Sequence, residues 1–169
     1  MKIIILLIAL MIQTNVFPTD RDLQMTQEEL DQLVSMQAAV KNLSLLVYKM
    51  QLETFKLLEM SEKLPFYQLK KKEQIKLLHC KIMGANFINI KTSIEPTILV
   101  SPLGLNIIPR EKLEHFQNGL HLFDFKHLAF KKCGDLKESL NALNETQREL
   151  IKFINIFDYE IVKLVTIEA

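Results

Sequence analysis

Apolar side chains recur at alternating spacings of three and four residues along most of the chain, which is the pattern of amphipathic helices. The longest stripe follows Thr26-Gln27-Glu28-Glu29, a capping-box sequence, and stops at Leu64-Pro65, because a residue before proline disfavours helical backbone. This stripe consists of Leu33, Met36, Val40, Leu43, Val47, Met50, Thr54 and Leu57. The pattern predicts a first helix over 26–64 with one buried face.

A second helix is predicted from Pro65, since proline is well tolerated at a first helical position, to about Lys91. Its predicted buried stripe is Leu69, Ile75, Leu78, Ile82 and Ala85. A third helix is predicted from Pro109 to about Lys132, with Cys133-Gly134 as its stop. Its stripe is Leu113, Phe116, Leu120, Phe123, His127 and Phe130.

The last helix is predicted to begin after Asp135, which suits the N-cap position of Asp135-Leu136-Lys137-Glu138. Its stripe is Leu136, Leu140, Leu143, Gln147, Leu150, Ile154, Phe157, Ile161 and Leu164. Gln147 is the single polar member, and a polar residue in an apolar stripe can fix the register between helices at some cost in stability.

The segment 92–108 combines turn signals at Glu95-Pro96 and Ser101-Pro102 with a high apolar content. Its apolar strap residues are Ile98, Leu99, Val100, Leu103, Leu105, Ile107 and Ile108. We expect a crossover laid over the helices, because a long loop must bury apolar surface or use it. An exposed binding edge, or a lid over a ligand cavity, is the alternative.

These elements predict an all-α protein, specifically an up-down-up-down four-helix bundle with a long apolar crossover between helices 2 and 3. Short first and third connections favour antiparallel neighbours. An extended coiled-coil oligomer fits less well, because Pro65 and Pro109 interrupt the stripes.

The first 18 residues have a different character from the rest of the chain. Lys2 precedes an apolar run from Ile3 to Ile12, and polar residues follow, which is the order of a secretory signal peptide. Ten apolar residues are too few for a stable transmembrane anchor, so an uncleaved anchor is the less favoured alternative. We therefore expect residues 1–18 to be a signal peptide, with no clear cleavage motif, and residues 19–169 to be one secreted, extracellular domain.

If the chain is secreted, its two cysteines can form a disulfide and its two sequons can receive glycans. Cys80 and Cys133 are the only cysteines, and an even count in an oxidising compartment favours a disulfide over two free thiols. Asn42-Leu43-Ser44 and Asn144-Glu145-Thr146 are acceptor sequences for N-linked glycans at Asn42 and Asn144.

The formal net charge of +1 gives no electrostatic reason to expect nucleic-acid binding. That neutrality hides a contrast, because residues 63–91 contain seven lysines and one glutamate, whereas residues 20–62 are acidic. Lys70, Lys71, Lys72 and Lys76 form a candidate patch for sulfated glycans or an anionic surface. A solvated helix face is the plainer interpretation.

Sequence motifs for catalysis, cofactor binding or metal binding are absent, so we expect no enzyme activity, no cofactor and no metal. The closest constellation is His121, Asp124 and His127, which lacks the converging ligands of a zinc site.

The remaining function is binding. We expect an extracellular effector or receptor ligand, with an architecture like that of secreted four-helix cytokines by analogy of fold alone. A carrier of lipid or another small apolar molecule under the strap is one alternative, and a glycosaminoglycan or anionic-surface binder is another. The partner is thus an extracellular protein or an apolar small molecule, and the sequence leaves the oligomeric state open.

Overall fold

A computed structural model describes residues 27–94 and 125–167, and these residues are almost entirely helical. The elements are α1 (Gln27–Lys63), α2 (Leu69–Asn89) with a π-helical turn at Ile90–Ile94, α3 (Phe125–Phe130) and α4 (Leu136–Ile167). Within those two ranges there is no strand. The all-α class predicted from the sequence is confirmed for this part of the chain.

The stripe predicted for α1 is its buried face. All eight members, from Leu33 to Leu57, are buried, and Thr54 is completely enclosed although it is polar. Six of the eight lie in the central apolar core, and Leu57 lies in a smaller cluster with Ile75 and Leu136. The three-four spacing therefore predicted this face correctly.

Helix α4 packs along α1 in the antiparallel direction. Ser44 accepts a hydrogen bond from the Gln147 amide at 2.9 Å, and Gln51 donates to the backbone carbonyl of Leu143 at 3.2 Å. Toward opposite ends of the same seam, Lys41 pairs with Asp158 and Glu62 pairs with Lys137, each at 3.0 Å. Residue numbers therefore increase along α1 as they decrease along the facing side of α4, so the two helices are antiparallel.

The buried face of α4 follows its predicted stripe in part. Leu136, Leu143, Leu150 and Phe157 are buried, but Leu140, Gln147 and Ile154 are only half-buried. Ser139, Thr146 and Phe153 complete the buried face instead. The Asp135 cap is confirmed, since its carboxylate accepts the backbone N–H of Glu138 at 3.0 Å.

Helix α2 differs most from its prediction. Leu69, Leu78 and Ala85 are exposed, and Ile82 is half-buried. The residues that actually face the core are Ile75, His79, Met83, Ile90 and Ile94. The buried face of α2 includes His79. A search for regularly spaced apolar residues does not select a histidine, because a buried imidazole is stable only when both ring nitrogens have hydrogen-bond partners.

The ends of α2 also differ from the predicted ones. The chain makes a turn at Pro65, where the backbone N–H of Gln68 donates to the Pro65 carbonyl at 3.0 Å, and the helix begins only at Leu69. At the other end, 92–94 belong to the π-helical turn. Because Ile90 and Ile94 are both buried, core packing extends the helix past the predicted crossover start.

The third helix is described only from Phe125, and it ends at Phe130, two residues before the predicted Lys132. Backbone N–H groups of Lys131 and Lys132 both donate to the His127 carbonyl, which closes the helix into a turn that contains Cys133-Gly134. The rest of this helix and the apolar strap lie outside the described residues. The up-down-up-down bundle and its crossover therefore stay predictions.

Candidate binding surfaces

The predicted disulfide between Cys80 and Cys133 is present, with the two Cα atoms 4.7 Å apart. Cys80 lies midway along α2, and Cys133 lies in the turn between α3 and α4. The pairing is possible because α2 extends past this turn, so that Ile75 on its first half packs with Leu136 at the start of α4. The bond joins two cysteines that are 53 residues apart in the sequence.

His79, next to the disulfide, is the one histidine buried in the described core. It is 0% exposed, and its Nε2 lies 3.1 Å from the hydroxyl oxygen of Thr54. Its Nδ1 contacts the backbone carbonyl of Cys133. A carbonyl only accepts, so Nδ1 carries the proton and Nε2 accepts from the Thr54 hydroxyl.

This neutral ring joins α1, α2 and the α3–α4 turn through two hydrogen bonds. Burial lowers the pKa of His79 from 6.5 to about 4. Such a shift in a histidine can mark a reactive site. Here both nitrogens are used in structural contacts, and no group of three potential metal ligands exists among the described side chains.

The sequon asparagines Asn42 on α1 and Asn144 on α4 are both exposed. The Gln51 amide donates to Oδ1 of Asn144 at 2.9 Å, which leaves Nδ2, the atom that carries an N-linked glycan, outside this bond. The hydroxyl residues of both sequons, Ser44 and Thr146, are buried. Both sequons lie within helices, whereas acceptor sites are expected in surface loops.

Three of the four patch lysines are exposed, namely Lys70, Lys71 and Lys76, and Lys72 is half-buried. A helix rotates by about 100° per residue, so the four side chains spread around more than half of its circumference. They form a lysine collar around the first two turns of α2 and do not share a single face. In the described part of the chain, the three exposed members make no ion pair.

Three large apolar side chains are exposed just before the lysine collar: Phe66 at 84% and Tyr67 at 70% in the turn, and Leu69 at 70% at the start of α2. We call these three residues the aromatic tip. The rings of Phe66 and Tyr67 pack edge to face, with centroids 5.9 Å apart. The apolar spacing predicts a helix over this segment and so does not reveal the exposed turn; the available signal in the sequence is the consecutive Phe-Tyr pair after Pro65.

A second surface missed from the sequence is the outer face of α1, formed by Leu45, Tyr48, Leu52 and Phe55. These residues are 42–59% exposed, and they repeat at spacings of three and four on the side of the helix that faces away from the core. The spacing is visible in the sequence. It was overlooked because the parallel stripe from Leu33 to Leu57 already accounted for the helix.

The strap residues, from Ile98 to Ile108, lie outside the described residues, as do His121 and Asp124 and residues 1–18. The sites predicted there stay predictions. In residues 27–94 and 125–167, no helix combines the length and apolarity that crossing a bilayer requires. Comparison of the chain with protein-family models, with curated proteins and with solved structures finds no match.

Proposed function

We propose that this protein is a secreted, non-enzymatic effector that binds an extracellular partner protein through the outer face of α1. The single observation that carries the proposal is the exposed apolar row of Leu45, Tyr48, Leu52 and Phe55. Isolated exposed apolar residues need no explanation, but a continuous row on one helix face is typical of an interaction surface.

The composition of the outer face favours a protein partner. Tyr48 and Phe55 are aromatic residues, which are enriched among the residues that dominate binding energy at protein interfaces. They are separated by seven residues, so that both project from the same side of α1. A partner helix or sheet with a groove could accommodate both rings at once.

The charges around this face are mixed. Lys49 and Lys56 are exposed beside it, and so are Glu53 and Glu59. A polar rim with both signs is typical of protein interfaces and would repel a uniformly anionic surface at its acidic positions. The outer face therefore fits a folded protein better than a sulfated glycan.

Secretion rests on the predicted signal peptide, on the sequons and on the Cys80–Cys133 disulfide, since disulfides persist mainly in oxidising compartments. A bundle in the up-down-up-down order, as in four-helix cytokines, would hold α1 at its edge with the outer face toward solvent. The antiparallel packing of α1 with α4 supports that arrangement.

Cell-surface binding tests the proposal. The protein would be expressed with its complete sequence in a secreting cell, labelled at the N-terminus of the secreted form, and titrated onto panels of cells with unlabelled protein as competitor. We expect saturable binding that protease treatment of the cells abolishes, and at least a tenfold loss of affinity for the variant Tyr48→Ser/Phe55→Ser.

Leu77→Ser/Leu78→Ser is the matched control, because these leucines are also exposed on a helix but belong to α2. Equal binding by the Tyr48→Ser/Phe55→Ser variant and by the control would refute the outer face as the binding site. Loss of self-association in light scattering, with unchanged cell binding, would assign the outer face to contacts between copies of the chain instead.

A further inference from the structure

The aromatic tip and the lysine collar are adjacent and lie at the same end of the molecule. The tip is at the apex of the connection between α1 and α2, and the collar begins with the next residue after Leu69. The backbone hydrogen bond from Gln68 to Pro65 closes the turn. Phe66 and Tyr67 lie between the two bonded residues and project outward.

The turn is anchored from below. Leu64 is half-buried and packs against the cluster of Leu57, Ile75 and Leu136, which fixes the end of α1 to the starts of α2 and α4. The exposure of Phe66 and Tyr67 is therefore a property of a packed turn. Because the rings are already presented to solvent, binding through them would require little ordering of the chain.

The electrostatics of this end favour an anionic partner. The first turn of α2 contains no acidic residue, although a helix N-terminus carries a partial positive charge. Gln68, at the N-cap, makes no side-chain capping bond. The exposed collar lysines add full positive charges at the same place, so the unbound state concentrates positive potential beside an apolar tip.

We propose that the aromatic tip and the lysine collar dock this protein on an anionic phospholipid surface. Phe66, Tyr67 and Leu69 enter the boundary between headgroups and acyl chains, where aromatic side chains are favoured. Lys70, Lys71 and Lys76 reach the lipid phosphates, and the apolar stems of the lysines lie along the interface. This inference is independent of the outer face of α1.

The tip distinguishes a membrane from a sulfated glycan. Binding of a sulfated glycan depends chiefly on positive charge, and does not need an apolar layer into which Phe66, Tyr67 and Leu69 would all insert. A membrane surface uses both components, because it offers an anionic layer and an apolar layer at adjacent depths. The order along the chain, first the apolar tip and then the lysines, matches the order of those layers.

Vesicle flotation with the complete, disulfide-bonded secreted protein tests the proposal. The vesicles contain phosphatidylcholine alone, or phosphatidylcholine with 30% phosphatidylserine, in about 0.1 M salt, where charges are screened beyond about 10 Å. We expect binding to the anionic vesicles only. Phe66→Ser/Tyr67→Ser should reduce the partition coefficient at least tenfold, and Lys70→Gln/Lys71→Gln should reduce it by about fivefold per lysine.

Both variants have matched controls on α1. Tyr48→Ser/Phe55→Ser removes one tyrosine and one phenylalanine, and Lys49→Gln/Lys56→Gln removes two exposed lysines. We expect both controls to bind vesicles like the unaltered protein. A loss for the α1 variants equal to that of the tip and collar variants would overturn the proposal.

Insertion can be observed directly because the chain contains no tryptophan. Phe66→Trp would provide a single fluorophore at the tip, and Phe55→Trp would provide one on the outer face. We expect a blue shift on anionic vesicles for Phe66→Trp only. A different result would overturn the proposal: retention on heparin that depends on Lys70 and Lys71, together with vesicle binding that Phe66→Ser/Tyr67→Ser leaves unchanged. The partner would then be a sulfated glycan and not a membrane.

Discussion

Thr54 on α1 donates a buried hydrogen bond of 3.1 Å to Nε2 of His79 on α2, and the other ring nitrogen of His79 donates to the Cys133 carbonyl. One imidazole thus joins three elements beside the disulfide. The neutral form of the ring satisfies both contacts.

Stability should fall in mild acid. The pKa of His79 is about 4 in the folded protein and 6.5 as the ordinary value. As the pH falls, the unfolded chain therefore binds a proton at His79 before the folded protein does. The contribution of the neutral ring to the free energy of unfolding is fully present above pH 6.5 and is lost as the pH falls toward 4. We expect His79 to account for a loss of about 2 kcal/mol between pH 7 and pH 5 in urea unfolding. His79→Gln should remove this component, and parallel pH profiles of the two proteins would contradict it.

Thr54→Val should destabilise the protein by about 1–3 kcal/mol, because it leaves Nε2 of His79 buried without a donor. The substitution conserves shape, so the loss reports the hydroxyl group. A double-mutant cycle with His79→Leu isolates the pair, since valine should cost much less when the ring is already absent. Additive losses in the cycle would exclude a direct contribution from this bond.

Removing the disulfide with Cys80→Ala/Cys133→Ala should cost about 4 kcal/mol, as expected for closing a loop of this length. Urea unfolding measures the difference, and electrophoresis of the unaltered protein with and without reductant tests whether the bond forms in a secreting cell. Mobility that reductant leaves unchanged, together with two reactive thiols, would show that the bond does not form.

Gly84→Ala should stabilise the protein by about 1 kcal/mol, because alanine has a higher helix propensity than glycine. Gly84 lies inside α2, and a Cβ atom built there would meet no atom within 4 Å. Thermal unfolding would show the gain as a higher Tm. A lower Tm would mean that the position requires glycine for a reason other than space.

Glycosidase treatment should increase the electrophoretic mobility of the secreted protein, with separate steps lost in Asn42→Gln and Asn144→Gln. The Gln51 bond to Oδ1 of Asn144 is compatible with a glycan on Nδ2. Thr146→Ala should remove the same step as Asn144→Gln, because the acceptor sequence requires the hydroxyl residue. An unchanged mobility would remove this support for secretion.

A buried helix face can be predicted from the sequence where its members are apolar and regularly spaced, and not where burial depends on contacts with distant residues. Every residue predicted for the buried face of α1 is buried, because every member of the stripe except Thr54 is apolar; Ala39 and Ser44 beside the stripe are buried as well. Of the stripe predicted for α2 only Ile75 is fully buried, because the central member of the true face is His79, whose burial depends on partners on α1 and after α3. Contacts between distant residues cannot be inferred from a local pattern.

For the two candidate surfaces, the residues are visible in the sequence but their spatial arrangement is not. The lysines are visible in the sequence, but their relation to Phe66 and Tyr67 depends on the turn at Pro65, where the sequence pattern predicts a helix. The outer face of α1 was visible as a second repeat, Leu45 to Phe55, but a local pattern does not say which of two apolar faces is buried. The seam with α4 decides it, through residues such as Ser44 and Gln147.

The Cys80–Cys133 disulfide makes the intervening chain a covalently closed ring. A protease that cuts one peptide bond between these cysteines would therefore release no fragment, and the two pieces would separate only under reduction. In an extracellular setting rich in proteases, a nicked molecule would still carry α1, α2 and α4 as one covalent unit. Its apparent mass without reductant would conceal the cut.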